Sequence, residues 1–179
     1  MDDYDDITNM MFAGDIDGLE EAEMIVEGFP LGKDTFIERH WITNAIDVGT
    51  IEVVRWMLSK QVNLRFRDDE GYTVLHSAID RDVGNRHEVI RLLIAAGADV
   101  NAHGTQDWTP AHMAAVRNDI ESLRIFVESG ADLSIRTGID WYATPLEECE
   151  KAATSPECLR YLQTMAEQSV PPKSDHAGG

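Results

Sequence analysis

Two stretches of the sequence repeat the same pattern of residues, and this internal repeat limits the possible folds more than any other feature. Residues 71–101 begin with Gly-Tyr-Thr-Val-Leu-His and end with Gly-Ala-Asp-Val-Asn. Residues 107–133 begin with Asp-Trp-Thr-Pro-Ala-His and end with Gly-Ala-Asp-Leu. A repeat of roughly thirty to forty residues is typical of solenoids, in which short units stack and bury a shared core. Such a stack offers a long binding surface in place of a deep catalytic pocket.

The second of these stretches has the sequence of two short helices. Thr109 is a good N-cap because its side-chain oxygen can accept a hydrogen bond from a free helix amide, and Pro110 suits the first helical position. Asn118 and Asp119 end this helix, and the next residues carry an apolar stripe. Gly130 follows at the position where glycine takes a left-handed conformation without strain. The stripe consists of Ile120, Leu123, Ile125, Phe126 and Val127.

These residues resemble the ankyrin repeat, whose consensus runs Gly-x-Thr-Pro-Leu-His, then Gly-His-x-Glu-Val-Val and Gly-Ala-Asp-Val-Asn. Residues 108–135 match without a gap, and residues 71–102 match with three extra residues between the helices. A further unit opens at Thr144, with Glu147 in place of the histidine. At His40, one repeat before the unit of residues 71–102, the signature is lost but the consensus spacing continues.

The resemblance implies an all-α ankyrin-repeat solenoid of about five helix-turn-helix units. Short hairpins, here called fingers, join each unit to the next. We expect one domain over residues 1–168, followed by a disordered tail at 169–179. The units are a degenerate first unit at 5–36, units near 38–70, 71–106 and 107–141, and a capping unit at 142–167.

The chain is strongly acidic, and the acidic residues are concentrated towards its start. The net charge is −18, from 33 acidic and 15 basic residues, and residues 1–38 contain twelve acidic residues and one lysine. Such a field repels nucleic acid and anionic membranes and speeds the encounter with a basic protein. Acidity also keeps a small protein soluble without any partner, and the sequence leaves both explanations open.

Several classes of protein do not fit the sequence. No apolar run is long enough to span a membrane, and four aspartates among the first six residues are unlike a signal peptide. Cys149 and Cys158 are too few for a disulfide scaffold and lack a zinc spacing, so we expect two buried reduced thiols. We predict a soluble, cytoplasmic protein that is a monomer when free.

The histidines have a structural and a chemical interpretation. His76 and His112 hold the histidine position of the repeat, where the ankyrin family uses the ring to hydrogen-bond neighbouring turns. The sequence contains no nucleophile elbow, phosphate-binding loop or His-Glu-x-x-His motif. An enzyme or metal protein using His40, His87 or His103 is the alternative, but these residues lie in different units without a carboxylate at ligand spacing. We therefore predict no catalytic residue, no metal and no cofactor.

Large aromatic residues stand just before the threonine of three successive units, with acidic residues beside them. In the ankyrin family this finger position is variable and points to the concave side of the stack. Aromatic residues are enriched at binding hot spots, although each ring can also pack on a neighbouring finger. On the first helices we expect Met113 and Arg117 as contacts, and Arg81 on the same solvated face. The predicted partner-binding residues of the fingers are Tyr72, Trp108, Trp141, Tyr142, Asp68, Asp69, Glu70, Asp107 and Asp140.

These features predict a non-enzymatic protein–protein interaction module. Its concave face and fingertips would bind, and inhibit or mask, a basic protein such as a toxin, a nucleic-acid-acting protein or a regulator. Direct binding to nucleic acid or membrane is not expected. Small acidic ankyrin proteins include immunity-type inhibitors of bacterial toxins and regulators that mask transcription factors or kinases. A structural adaptor that bridges two proteins without inhibition is the alternative, and a second exposed patch on the convex side would favour it.

Overall fold

The computed structural model describes residues 3–138, 142–152 and 156–168, and these residues form five antiparallel pairs of helices. Each helix packs against its partner in the pair and against the corresponding helix of the next pair. The predicted all-α repeat solenoid is therefore confirmed. The helices are α1 (Asp3–Ala13), α2 (Ile16–Ile25), α3 (Trp41–Val48), α4 (Ile51–Ser59), α5 (Val74–Asp80), α6 (Arg86–Ala95), α7 (Pro110–Val116), α8 (Ile120–Glu128), α9 (Pro145–Lys151) and α10 (Pro156–Gln168).

The helix boundaries follow the capping residues of the repeat. The first helices of the last three pairs have Thr73, Thr109 and Thr144 as N-caps, as the register predicts. After α7, Asn118 takes the left-handed conformation, and the Asp119 side chain accepts a hydrogen bond from the amide of Ser122 in the first turn of α8. Because these caps use side chains to satisfy orphan amides, the repeat sequence itself fixes where each short helix starts.

The three extra residues of the third unit form the connection between α5 and α6, and Arg81 anchors that connection. Its guanidinium donates to the carbonyl oxygens of Gly49 (2.7 Å) and Ile46 in the second unit. Its Nε donates to the carbonyl of Gly84 at 2.7 Å. The expectation that Arg81 lies on a solvated face is wrong, since the residue is only 3% exposed. Its five donors make it able to satisfy several carbonyls that would otherwise be buried without a partner.

An aromatic cluster joins the degenerate first unit to the rest of the stack. Trp41 replaces the consensus proline and is buried between Phe29, which meets it edge-on at 5.2 Å between centroids, and Tyr4 of α1, which stacks at 6.1 Å. Phe29 also stacks on Trp56 at 5.8 Å. Aromatic pairs at such distances add stabilisation beyond the area they bury, so this cluster compensates for the missing signature.

The fingers are tight hairpins with little regular sheet. The backbone amide of Asp68 donates to the carbonyl of Tyr72 at 2.9 Å, and that of Gly104 donates to Trp108 at 2.6 Å. Within the described ranges, the isolated bridge that the structure contains joins Lys33 and His40 of the first finger. The predicted tail at 169–179 lies outside the described residues.

The core contains both cysteines, as predicted. Cys149 of α9 and Cys158 of α10 are buried, and burial raises the pKa of the Cys158 thiol to about 11. A thiol with so high a pKa stays protonated and unreactive at neutral pH. None of the helices in the described part of the chain is both long and apolar enough to cross a membrane.

The backbone conformation of Gly130 is a check on the repeat register of the fourth unit. It follows α8 with φ of +90°, and a Cβ built there would meet open space. We expect Gly130→Val to destabilise the protein by about 1–2 kcal/mol because of the left-handed backbone alone. Gly130→Asn should cost less, because asparagine tolerates this conformation. Denaturant unfolding measures both, and equal midpoints for wild type and the valine variant would contradict the assignment.

Candidate functional site

The signature histidines connect each finger to the unit before it. Nδ1 of His76 accepts a hydrogen bond from the backbone amide of Thr73 at 3.3 Å, and Nε2 lies 3.1 Å from the carbonyl oxygen of Trp108. Because Nδ1 is an acceptor, the ring proton is on Nε2, which donates to that carbonyl. His112 repeats the arrangement, with Thr109 at 3.1 Å and the carbonyl of Ala143 at 3.0 Å.

Glu147 replaces this histidine in the last unit and keeps its hydrogen bond to the N-cap amide, but not the bond to a carbonyl of the next finger. Its carboxylate accepts the Thr144 amide at 2.8 Å, so the helix is still capped. The same carboxylate pairs with Arg136 of the preceding finger at 2.8 Å. The Thr144 amide and the Arg136 guanidinium lower the pKa of Glu147, which therefore remains charged.

Burial holds the two signature histidines in the neutral form. It lowers the pKa of His76 to about 4, and it also lowers the pKa of His112. Both rings are fully engaged by backbone groups, which leaves neither nitrogen for a substrate. Their position therefore supports the structural interpretation of both residues.

The other histidines that the structure describes, His40, His87 and His103, do not form one cluster. His87 lies 2.9 Å from a carboxylate oxygen of Asp119, and His103 lies 3.3 Å from that of Asp107. The expectation that these histidines lack carboxylate partners is wrong for these two. His40 stacks on Phe66 at 3.8 Å between centroids. In the described ranges, no three His, Cys, Asp or Glu side chains lie close enough to hold a metal ion.

Acid should destabilise the fold through His76. The unfolded chain binds this proton at the ordinary pKa of 6.5 and the folded chain only near 4, so stability falls as the pH drops between these values. From about pH 7 to about pH 5 we expect a loss of about 2 kcal/mol from this residue. Urea unfolding at the two pH values measures it. His76→Gln should lose less stability over that range than wild type, and an equal loss would contradict the assignment.

Two of the predicted aromatic residues pack on the histidine of their own unit. The Tyr72 ring lies 5.7 Å from the His76 ring, and the Trp108 ring lies 6.2 Å from the His112 ring. Both are half-buried. This packing on the histidine orients each aromatic side chain.

The same two aromatic residues line a groove of about 410 Å³, here called the finger groove. It lies between the second finger, which contains Tyr72, and the third finger, which contains Trp108. Met113 and Arg117 of α7 also line it. Met113 is only 4% exposed and forms part of the floor, whereas Arg117 is exposed and pairs with Asp80 at 2.5 Å. The structure thus brings four predicted residues together.

The predicted acidic residues of the second and third fingers have different environments. Oδ1 of Asp68 accepts hydrogen bonds from the backbone amides of Glu70 (3.1 Å) and Tyr72 (2.7 Å), so Asp68 stabilises the turn of the finger. Asp69 and Glu70 are exposed. Asp107 has a left-handed backbone with φ of +60° and faces His103. Of the second-finger acidic residues, Asp69 and Glu70 are therefore available to a partner.

A second depression of about 350 Å³ lies on the other side of Tyr72, here called the acidic pocket. Burial raises the pKa of Asp47 and of Asp80, the acidic residues that two successive first helices contribute. The charged residues that line it are Arg39, Asp47, Asp68, Glu70, Asp80, Arg81 and Asp82.

The remaining predicted residues lie away from the finger groove or outside the described residues. Tyr142 is 66% exposed and does not line the groove, and Asp140 and Trp141 belong to the undescribed part of the chain. Sequence reasoning missed Val116 and Asp47. Val116 follows Met113 by one helical turn, and Asp47 precedes Asp80 by one repeat, so helical and repeat spacing could have identified them.

Comparison with known proteins agrees with this architecture. A family model described as ankyrin repeats (3 copies) matches residues 24–103 and 42–137. The chain is 33% identical over 130 residues to RelA-associated inhibitor of Mus musculus, a match that covers 72% of this chain and 15% of that protein. It is 30% identical over 83 residues to BCL-6 corepressor-like protein 1 of Homo sapiens, covering 46% of this chain and 4% of that protein. The chain thus spans a small part of these relatives.

Proposed function

The chain belongs to the ankyrin-repeat family of protein–protein interaction modules, and we propose that it binds a basic protein across the finger groove and thereby inhibits or masks it. The observation that carries the proposal is the meeting of Tyr72 and Trp108 at one groove with an acidic pocket beside it. Aromatic side chains provide much of the affinity at protein interfaces, and charge provides steering and selectivity.

The charge of the chain supports a basic partner. The net charge of −18 attracts cationic surfaces before contact, and exposed Asp69 and Glu70 bring that charge to the edge of the groove. A nucleic-acid-acting protein, a toxin or a regulator with a basic surface fits this description. Nucleic acid itself carries the wrong charge for this site.

Inhibition is supported by one of the relatives. The mouse protein to which 72% of this chain aligns is a RelA-associated inhibitor, although the alignment covers 15% of its length. Ankyrin-repeat proteins are in general interaction modules without enzymatic activity, so the direct effect of binding is to cover a surface of the partner. We propose that this covered surface is one the partner needs for its own activity.

Affinity capture from the native cell at low and high salt, followed by mass spectrometry, identifies the partner. With that partner, Trp108→Ala should weaken binding by about 2 kcal/mol or more, mainly through faster dissociation, because a buried anchor is lost. The double variant Asp69→Asn with Glu70→Gln should mainly slow association and reduce its salt dependence. Surface plasmon resonance measures both rates.

Phe12→Ala is the matched control, because Phe12 is an exposed aromatic residue (68%) at the C-terminal end of α1. It should leave both rates unchanged. Unchanged rates for Trp108→Ala would contradict the proposed site, and a loss for Phe12→Ala would then place the partner at the opposite end of the helices. An assay of the partner's own activity, with and without saturating amounts of this chain, tests inhibition separately.

An adaptor function is the second candidate, and one observation favours it. Phe12 and Val83, 68% and 46% exposed, line a depression near the turns between paired helices. First helices begin at the fingers and end at these turns, so the depression is at the opposite end of the helices from the finger groove. An adaptor would use both surfaces at once. A ternary complex that Phe12→Ala disrupts without affecting the first partner would support this function.

A further inference from the structure

We infer that the finger groove takes a short segment of the partner in which a large apolar side chain stands beside a lysine or arginine. The apolar side chain would occupy the finger groove, and the cation would occupy the acidic pocket. This inference rests on the proposed function, since it assigns the occupant of the same site. It adds which chemistry binds where along the stack.

The finger groove suits an apolar side chain. Tyr72 and Trp108 form its walls, and Met113 and Val116 contribute apolar surface from α7. Its volume of about 410 Å³ is within the range of roughly 300–1,000 Å³ that ligand sites occupy. Both aromatic rings rest on histidines that are themselves hydrogen-bonded to the backbone, so the walls are already in place before binding. Preorganised walls reduce the entropy that binding costs.

Two of the carboxylates that line the acidic pocket have no ion pair among the described residues. Five carboxylates and two guanidinium groups line it. Arg81 directs its donors to backbone carbonyls, and Arg39 pairs with Asp47 at 2.7 Å. Arg117 pairs with Asp80 at 2.5 Å, and Arg86 lies 3.9 Å from Asp82. Asp68 and Glu70 remain without an ion pair in the described part of the chain, and Glu70 is exposed at the edge of the pocket. Because like charge repels and opposite charge attracts across such a surface, the pocket selects a cation and rejects an acidic side chain.

The two depressions form one continuous site. Tyr72 lines both of them. The ion pair between Asp80, which lines the acidic pocket, and Arg117, which lines the finger groove, spans the boundary at 2.5 Å. The order along the stack is therefore fixed. The cation binds towards the second unit, and the apolar side chain binds towards the fourth.

A random peptide library displayed on phage, selected on the full-length chain, tests the inference. Enriched peptides should combine lysine or arginine with a large apolar residue at a constant spacing. A synthetic peptide of the enriched sequence is then measured by fluorescence anisotropy. Replacing its basic residue by glutamine should weaken binding about fivefold or more, and replacing its apolar residue by alanine about tenfold or more.

Variants of the chain assign each half of the peptide to its pocket. Glu70→Lys should weaken the enriched peptide about fivefold or more but leave its glutamine version unchanged, since only the charge contact is lost. Trp108→Ala should weaken both versions. Glu128→Lys is the matched control, because Glu128 is an exposed acidic residue of α8 outside both depressions, and it should change neither affinity.

Three results would overturn the inference. These are no enrichment over an unrelated control protein, enrichment of peptides that lack either residue type, and equal effects of Glu70→Lys and Glu128→Lys. If one of them occurs while Trp108→Ala still weakens the captured partner, only the assigned segment is wrong. If the partner is also insensitive to Trp108→Ala, the proposed function itself is wrong at this site.

Discussion

The hydrogen bond from a buried neutral histidine to the carbonyl of the next finger is the interaction on which the rest of the structure depends. His76 and His112 each use one ring nitrogen to cap their own helix and the other to bind the following unit. A repeat of two short helices cannot bury enough apolar surface alone. These bonds fix the spacing between units, and the shared core then becomes possible. Burial keeps both rings neutral, and a neutral ring is what allows one nitrogen to accept while the other donates.

The candidate site is a direct consequence of this connection. The same histidines that bind the fingers also support the Tyr72 and Trp108 rings, so the walls of the finger groove are held by the bonds that hold the stack together. Arg81 has a similar double effect, because it binds the carbonyls of the second unit while its charge borders the acidic pocket. The stability of the stack and the shape of the candidate site therefore depend on the same residues, and variants at either histidine would alter both.

The repeat signature was sufficient to predict the fold, but only part of the site. Threonine caps, the left-handed Gly130 and the spacing of the units are local signals, and each appears in the structure at the expected residue. The function of Arg81 depends on carbonyls more than thirty residues earlier in the chain, and no local pattern indicates that contact. Asp68 likewise looked like a binding residue because its charge is visible in the sequence, whereas its bonds to the turn amides are not.

Glu147 makes the last unit different from the two units before it, which carry a histidine at this position. A charged carboxylate can accept the Thr144 amide but has no proton to donate, so it cannot hold the carbonyl of a further finger as a histidine does. The carboxylate oxygens of Glu147 are instead occupied within the chain by the Thr144 amide and the Arg136 guanidinium. The histidine-to-carbonyl bond that continues the stack from His76 and His112 is therefore not repeated from this position. A single departure from the repeat pattern thus ends the series of histidine bonds within the described residues.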